Sequence, residues 1–496
     1  MTAITAGAPA RLSWPPPHLV DTARAEVRRL QVRIAKAVQL GRWGKVKALQ
    51  RLLTRSFHAR VLAVQRVTSN KGRRTPGVDG VLWTTPAQRQ LAAQTLHPHA
   101  YKPRPLRRLY IPKKNGKKRP LSIPTMRDRA MQALFKLALA PVAETTADPN
   151  SYGFREGRSC ADAVQAAFID TANRFSAPWI FEADIQGCFD NISHEWLLDN
   201  IPMEKPILKA WLNAGYMEGG HAFPTRKGTP QGGIISPTLA NMTLDGLEAV
   251  VKAAVPRRSR VNLVRYADDF IITGKSRTLL ETHIRPAVER FLAERGLTLS
   301  AEKTHITHIR RGFTFLGQTF RKRGRAMRVT PSREAVQSLL RRTGDTIRRF
   351  VSMKTPALIG HLNRMLRGWG NYHRFVVSSE TFRKVDRAIF QQLWRMLTRR
   401  HPNKSKGWII QHYFRLPGRP EGFSAQERDS EGNLRFYRLF RLVELPIRRH
   451  VKIRAQANPY LPEYAGYFWQ RRHNREARSH SMDERQKIRA VRNLGG

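Results

Sequence analysis

Apolar residues recur at helical spacing through residues 21–56, among many Arg and Lys and with an interruption at Gly41. This pattern predicts two basic amphipathic helices, which we assign to an N-terminal helical extension over residues 1–60. A solvated helical face is the simpler alternative. The recurring apolar positions are Leu30, Ile34, Val38, Val46, Leu49, Leu52 and Leu53.

Two strand-like runs further along the chain lead to carboxylates. The mostly apolar residues 262–265 and 271–273 enclose Tyr-Ala-Asp-Asp-Phe at 266–270, which predicts a hairpin with Asp268 and Asp269 at its tip. Residues 179–184 form a second apolar strand that ends on Asp184. Three acids at strand ends are therefore candidate catalytic residues.

Adjacent carboxylates repel each other, so a turn that presents both is costly unless a cation neutralises them. Carboxylate oxygens suit Mg²⁺, and Asp184, Asp268 and Asp269 together predict a site for two Mg²⁺ ions. With ions roughly 4 Å apart, one activates an attacking oxygen and the other stabilises the leaving oxygen, as in polymerases and nucleases. An isolated Asp-Asp pair is more commonly a solvated turn, but the flanking strands and Asp184 favour the metal site.

Three further segments combine basic residues with Gly and Pro. Residues 101–127 hold ten basic and no acidic residues, and Asn115-Gly116 within them predicts a hairpin that grips a triphosphate or a strand backbone, a solvated basic loop being the alternative. Residues 227–237 predict a loop that approaches a nucleotide closely and enters a helix near Thr238. Residues 312–320 are predicted as one strand and 326–329 as its partner, joined by the basic residues 321–325.

The pattern becomes helical beyond Pro331, with apolar faces in residues 356–375 and 381–400 and Arg or Lys on the other faces. From His401 onwards the chain is predicted to be basic and irregular.

Composition narrows the class of partner. The 496 residues include 89 Lys and Arg against 37 Asp and Glu, a net charge of +52, which indicates a polyanion and most simply nucleic acid. The length predicts several domains. Two cysteines are too few for a disulfide framework, and no run of 18 apolar residues occurs, so we expect a soluble, intracellular protein without membrane contact.

The order of these segments, together with five motifs, resembles the reverse transcriptases and maturases encoded by bacterial group II introns. The motifs are Arg-Arg-Thr-Pro-Gly-Val-Asp-Gly at 73–80, Ser-Tyr-Gly-Phe-Arg at 151–155, the loop at 228–237, the hairpin at 266–270 and Gly-Trp-Gly-Asn-Tyr-His at 368–373. The resemblance implies an α+β, right-hand polymerase fold with an antiparallel sheet in fingers and palm. Fingers are expected at 61–175, palm at 176–330, a helical thumb or maturase domain X at 331–400 and a basic DNA-binding region at 401–496.

The resemblance also assigns roles to single residues. Asp184, Asp268 and Asp269 match the catalytic carboxylates, with the Ile185 carbonyl as a further metal ligand. Phe189 matches an aromatic steric gate that selects deoxynucleotides. The remaining nucleotide-binding residues are Lys113, Arg119, Pro230, Gln231 and Gly232. The residues expected to bind nucleic acid are Arg73, Arg74, Lys303, Arg321, Lys322, Arg323, Arg367, Arg383, Lys384, Arg448, Arg449 and Lys452.

The implied function is RNA-directed DNA synthesis with assistance to intron splicing, during retrohoming. Expected partners are group II intron RNA, a template-primer duplex, target DNA and deoxynucleoside triphosphates, in a cytoplasmic ribonucleoprotein. Two alternatives remain at this point: a domesticated reverse transcriptase acting in DNA repair or phage defence, and an RNA-binding splicing factor with a vestigial polymerase fold. Many relatives continue into a zinc-binding H-N-H endonuclease, whereas this sequence carries no paired cysteine motif, so cleavage of the second target strand is not expected.

Overall fold

A computed structural model describes residues 14–112, 116, 118–418 and 420–473. Helices and strands are mixed along these residues, and most strand pairs are antiparallel, so the α+β class expected from the sequence is confirmed. No helix in these ranges is both long enough and apolar enough to cross a membrane.

The first part of the chain is helical: α1 Pro17–Gln39, α2 Trp43–Arg55, α3 Phe57–Ser69 and α4 Pro86–Thr95. Helices α1 and α2 confirm the two predicted helices. Ile34, Val46 and Leu53 are fully buried and share one core with the central strands, so a solvated face is wrong for these positions. The expected boundary at residue 60 falls inside α3.

Eight strands form two four-stranded sheets: β1 Leu106–Pro112, β2 Lys118–Ile123, β3 Trp179–Asp184, β4 Tyr216–Glu218, β5 His221–Phe223, β6 Leu263–Tyr266, β7 Asp269–Gly274 and β8 His305–His308. The first sheet has the order β2-β1-β4-β5 and the second has the order β6-β7-β3-β8. Strands β1 and β2 form the predicted hairpin around Asn115-Gly116. Four residues of its tip, Lys113, Lys114, Asn115 and Lys117, lie outside the described residues.

Helices pack around both sheets: α5 Met126–Thr145, α6 Cys160–Ala172, α7 Cys188–Asn191, α8 His194–Asn200, α9 Lys205–Leu212, α10 Ser236–Leu244, α11 Leu247–Ala253, α12 Arg277–Leu279 and α13 Arg285–Ala293, the last two joined by a π-helical turn at Leu280–Ile284. Threonine and serine hydroxyls begin the two longest of these helices. Thr125 accepts from the Asp128 amide at the start of α5, and Ser159 accepts from the Asp162 amide at the start of α6.

The segment predicted as one strand over residues 312–320 is two strands. β9 Phe313–Phe315 and β10 Gln318–Arg323 are separated by a turn at Leu316 and Gly317, both with positive φ, and β10 also pairs with β11 Ala326–Pro331. The basic residues 321–323, predicted as part of a connecting loop, therefore lie in β10, and only Gly324 and Arg325 form the turn. The prediction missed that Gly317 permits a chain reversal inside an otherwise apolar run.

The predicted helical module beyond Pro331 is confirmed as α14 Arg333–Arg349, α15 Thr355–His373 and α16 Ser379–Arg400. The prediction of an irregular chain after His401 is wrong. Helix α17 Lys406–Tyr413 and the hairpin of β12 Ser424–Arg428 and β13 Leu434–Arg438 follow. Ile409, Phe423 and Leu439 are buried in the same core as α14–α16, which extends this module past residue 400.

Candidate active site

The three candidate acids lie on neighbouring strands of the second sheet. In the antiparallel pair of β3 and β7, Asp184 is directly opposite Asp269. Strands β6 and β7 form the predicted hairpin, in which Tyr266 pairs with Asp269 and only Ala267 and Asp268 remain in the turn. Ala267 has a φ of 58°, the left-handed conformation that a two-residue hairpin turn requires. The backbone therefore brings all three acids to one end of the sheet.

Buried ion pairs hold this hairpin in place. The guanidinium of Arg265 on β6 donates to Asp245 Oδ1 at 2.6 Å, and the guanidinium of Arg155 donates to the same oxygen at 2.5 Å. The side chains of Arg265 and Arg155 are 0% and 1% exposed. The sequence analysis assigned no role to Arg265 and Asp245, although an arginine inside an apolar strand is a signal of a buried partner.

The motif at residues 151–155 packs directly behind the turn. The Tyr152 amide donates to the Arg265 carbonyl at 2.8 Å. A Cβ on Gly153 would stand 2.4 Å from the amide nitrogen of Ala267, closer than any side chain permits. Glycine at 153 is thus a requirement of the close approach between this motif and the acidic turn.

The acids influence each other electrostatically. Burial, together with the negative charges of Asp184 and Asp268, raises the pKa of Asp269 to about 7. Burial also raises the pKa of Asp268, helped by the charge of Asp184 and opposed by Arg119 and Lys303. The Lys303 ammonium contacts Asp184 Oδ2 at 2.6 Å, and this hydrogen bond raises the pKa of Lys303. The site holds more negative charge than these cations neutralise.

This surplus of carboxylate charge fits a divalent cation. Within the described residues, no three His, Cys, Asp or Glu side chains are gathered closely enough to hold a metal by themselves. Mg²⁺ commonly takes only one or two carboxylates and completes its shell with water and substrate phosphates, so a preformed cage of three side chains is not required. The Ser300 amide donates to the Asp184 carbonyl and the Gln186 amide donates to the Thr298 carbonyl, which fixes the backbone on both sides of Ile185.

Phe189 lies on α7, which begins four residues after Asp184. Its half-buried ring meets Phe154 edge to face, with 6.4 Å between the ring centroids. The Phe189 carbonyl accepts from the Thr229 amide at 2.6 Å, which ties α7 to the loop at residues 228–232. Glycine is required at 228 because a Cβ there would meet the carbonyl of Asp190 at 2.5 Å.

Gln231 connects the β1–β2 hairpin to α7. Its amide oxygen accepts from Arg119 Nε at 2.9 Å, and its amide nitrogen donates to Asp190 Oδ2 at 2.7 Å. Gly232 has a φ of 118° and lies against the Ser122 carbonyl, while the Pro230 carbonyl accepts from the Gly233 amide. The structure thus gathers Arg119, Pro230, Gln231 and Gly232 beside Phe189, whereas Lys113 lies outside the described residues.

Three protein-family models match the chain. They are described as "N-terminal domain of reverse transcriptase" at residues 20–96, "Reverse transcriptase (RNA-dependent DNA polymerase)" at 111–320, and "Group II intron, maturase-specific domain" at 336–414. Protein YkfC of Escherichia coli is 32% identical over 325 residues, which cover 57% of this chain and 85% of that protein. The chain belongs to the reverse transcriptases of the group II intron type. Its fold is the right-hand polymerase fold.

Two other relatives of this reverse transcriptase are matched over only about half of their own length. The group II intron-encoded protein LtrA of Lactococcus lactis is 32% identical over 53% of this chain and 55% of its own length. An uncharacterized 91 kDa protein in the cob intron of Schizosaccharomyces pombe is 27% identical over 57% of this chain and 45% of its own length. A telomerase structure from Candida albicans matches with a TM-score of 0.38 and 11% identity over 60% of this chain and 55% of that one, too weak to support an inference.

The residues expected to bind nucleic acid differ in their solvent exposure and in whether they already contact another residue of the protein. Arg73, Arg74, Arg323, Arg383 and Arg449 are exposed. Others are exposed but engaged: Arg321 donates to the Arg311 carbonyl, Lys384 pairs with Glu380 at 2.7 Å, and the Arg367 guanidinium lies 4.5 Å from the Phe440 ring centroid.

Lys322 is directed into the protein. Its ammonium donates to the carbonyls of Asn173 at 2.7 Å and Thr171 at 3.4 Å, at the C-terminal end of α6. Carbonyls at a helix end lack partners within the helix, and the ammonium satisfies them. Lys322 therefore serves this reverse transcriptase as a contact between β10 and α6.

The segment that contains Arg448, Arg449 and Lys452 packs against α6. His450 and Arg471 both contact Oδ1 of the buried Asp162, at 2.9 and 2.6 Å. Burial alone would raise the pKa of Asp162, but hydrogen bonds from His450 and Ser159 lower it to about 2. The three basic residues line a cavity of about 920 Å³ between this segment, α6 and α15.

Proposed function

We propose that this reverse transcriptase copies RNA into DNA, binds group II intron RNA, assists its splicing, and produces the intron cDNA during retrohoming. The observation that carries the polymerase part is the pairing of Asp184 opposite Asp269, with Asp268 in the adjoining turn. The match to the maturase-specific domain at residues 336–414 supports RNA binding and the splicing role. We place the protein in a bacterial cytoplasmic ribonucleoprotein.

In this proposal Asp184, Asp268, Asp269 and the Ile185 carbonyl hold two Mg²⁺ ions. When bound, such ions activate the primer 3′-hydroxyl and stabilise the leaving phosphate oxygens. Arg119, together with Lys113, holds the triphosphate of the incoming nucleotide. Gln231 is hydrogen-bonded to Arg119 and to Asp190 on α7. Through these two contacts, the loop at 228–232 positions the nucleotide against α7.

Phe189 is proposed to exclude ribonucleotides by occupying the space of a 2′-hydroxyl. The variant Phe189→Ala is expected to raise ribonucleotide incorporation relative to deoxynucleotide incorporation by on the order of 10- to 100-fold, because the steric clash disappears. Single-nucleotide primer extension with each substrate measures this ratio.

The exposed phenylalanine Phe175, 65% of which is accessible, offers a matched control. Phe175→Ala should keep the parent ratio. Unchanged discrimination in Phe189→Ala would contradict the gate.

The proposed nucleic-acid surface consists of basic residues on several elements. Its members are Arg73, Arg74, Lys303, Arg321, Arg323, Arg367, Arg383, Lys384, Arg448, Arg449 and Lys452. RNA docking of this kind depends on phosphate neutralisation and shape, and target DNA is proposed to contact the last three residues.

Affinity for the intron RNA is therefore expected to fall steeply with salt. The logarithm of the association constant should fall against the logarithm of salt concentration by about 0.7 to 0.9 per neutralised phosphate, so six to ten contacts lose roughly 10³- to 10⁵-fold between 50 and 200 mM salt. Filter binding over that range measures the slope. A flat response would refute an interface dominated by phosphate contacts.

The combined function is tested by primer extension on an RNA template with Mg²⁺, run beside a splicing assay with the intron RNA. We expect DNA synthesis and faster splicing from the parent protein. Asp184→Asn should lose synthesis but retain splicing assistance, because the basic surface is unchanged. Asp199→Asn, a surface carboxylate on α8 that is 67% exposed, is the matched control and should behave as the parent.

A further inference from the structure

A cavity of about 390 Å³ lies behind the loop at residues 228–232, where this loop meets β1, β2 and β4. Two of its lining residues, Pro230 and Gln231, belong to the proposed nucleotide site, whereas the part lined by Arg108, Arg226 and Lys227 has no assigned ligand. The lining residues that matter are Arg108, Asp190, Tyr216, Arg226, Lys227 and Thr229. The volume lies at the lower end of the range for small-molecule sites, which is roughly 300 to 1,000 Å³.

The lining attracts an anion. Its three cations, Arg108, Arg226 and Lys227, face a single carboxylate, Asp190, which already accepts from the Gln231 amide at 2.7 Å. Arg226 and Lys227 are exposed, and no ion pair among the described residues includes either of them. The uncompensated positive charge in this small space favours a ligand with at least two negative charges.

Two buried polar atoms in the lining lack partners. The hydroxyl of Thr229, a residue only 3% exposed, has no hydrogen bond to a described residue, and neither does the buried Nε of Arg108. Buried groups of this kind are costly when they stay unpaired, and those in folded proteins are normally satisfied by protein, water or ligand. Both atoms are covered by protein in this structure, and a small shift of the lining would let them donate to phosphate oxygens.

The cavity offers no surface on which a nucleobase could stack. Among the described residues that line it, Tyr216 alone carries an aromatic ring. The Arg108 guanidinium lies 3.8 Å from the centroid of that ring, and Phe223 is stacked on the ring at 5.3 Å. With the tyrosine ring already covered, the chemistry favours a compact phosphate anion over a nucleoside.

The cavity adjoins the proposed nucleotide site. Gln231, which lines it, accepts from Arg119, and the Thr229 amide donates to the Phe189 carbonyl. Two residues of the lining, Gln231 and Thr229, therefore contact residues of the proposed nucleotide site directly.

We propose that this cavity binds inorganic pyrophosphate, the leaving group of nucleotide addition, an inference that rests on the proposed polymerase function. In that reaction the primer 3′-oxygen forms a bond to the α-phosphorus and loses its proton to solvent. The bond between the α-phosphorus and the bridging oxygen breaks, and pyrophosphate departs with the bonding electrons. Arg108, Arg226 and Lys227 then receive the anion behind the loop.

The test is isothermal titration of the full-length protein with pyrophosphate, without nucleic acid or metal. The double variant Arg226→Gln/Lys227→Gln should bind pyrophosphate at least about tenfold more weakly than the parent. The matched control is Arg257→Gln/Arg258→Gln, which removes two exposed tandem arginines outside the cavity and should stay within about twofold. Equal binding by both double variants would overturn the proposal.

Two further arms separate neighbouring explanations. Thr229→Val keeps the shape of the buried side chain and removes only its unpaired hydroxyl, so folding should be preserved while pyrophosphate affinity falls by roughly three- to tenfold. If Arg119→Gln abolishes pyrophosphate binding while the Arg226→Gln/Lys227→Gln variant retains it, the anion belongs to the triphosphate site and the proposal is wrong. Selective loss of deoxynucleoside triphosphate binding in Arg226→Gln/Lys227→Gln would also overturn the proposal.

Because the titration involves no polymerisation, its result is separate from that of primer extension. Pyrophosphate binding that depends on Arg226 and Lys227 in a protein that makes no DNA would preserve an anion site and refute the polymerase proposal. DNA synthesis together with pyrophosphate binding that does not depend on Arg226 and Lys227 would refute only the cavity assignment.

Discussion

Asp268→Asn is expected to lower DNA synthesis by at least about a thousandfold, equivalent to roughly 4 kcal/mol of transition-state stabilisation. The amide cannot supply the negative charge that two closely spaced cations need, and Asp268 is the acid in the hairpin turn itself. Primer extension on an RNA template measures the loss.

RNA binding by the same variant should stay within about twofold of the parent, because the proposed basic surface lies on other residues. Filter binding to the intron RNA provides that measurement, and Asp199→Asn again serves as the surface control. Retained synthesis in Asp268→Asn would refute the catalytic assignment, and loss of synthesis together with RNA binding would indicate misfolding.

Asp245→Ala is expected to destabilise the palm severely. Asp245 Oδ1 accepts from both Arg155 and Arg265, whose side chains are almost completely buried. Removing one partner of a buried ion pair costs about 3 to 5 kcal/mol because an uncompensated charge remains. In a protein of 496 residues the unfolding entropy is about 1 kcal/mol per kelvin, so we expect a fall of about 3 to 5 °C in the melting temperature, measured by thermal denaturation.

A surface ion pair provides the control for this effect. Asp345 pairs with Arg348 at 2.5 Å, but both side chains are more than half exposed. Such pairs contribute about 0 to 1 kcal/mol, so Asp345→Ala should lower the melting temperature by no more than about 1 °C. Similar shifts in the two variants would contradict the supporting role of the buried network.

Local patterns predicted the hairpin of β6 and β7 and the strand that ends at Asp184, because alternation, turn residues and acids are adjacent in the sequence. The network behind the hairpin could not be predicted in the same manner. Arg155, Asp245 and Arg265 are separated by up to 110 residues along the chain, calculated as 265 − 155, and only the fold brings them to one oxygen. The roles of the candidate site residues remain predictions.

Two errors came from turns that the sequence does contain. Gly317 reverses the chain between β9 and β10, and Gly432, with a φ of 82°, lies in the turn between β12 and β13. A glycine within a strand-like pattern is itself a signal of a turn or a bulge. The inward direction of Lys322 had no such signal, because its carbonyl partners on α6 lie about 150 residues earlier.

The central claim is that the acids at the end of β3 and in the β6–β7 hairpin coordinate a pair of ions. The most direct measurement is a crystal structure of the protein with an RNA template, a DNA primer, a non-hydrolysable deoxynucleotide and Mn²⁺, located by anomalous scattering. We predict two Mn²⁺ ions roughly 4 Å apart between Asp184 and the pair Asp268 and Asp269, with Lys303 displaced from Asp184. Ions bound elsewhere, or Lys303 still paired with Asp184 in that complex, would contradict the claim.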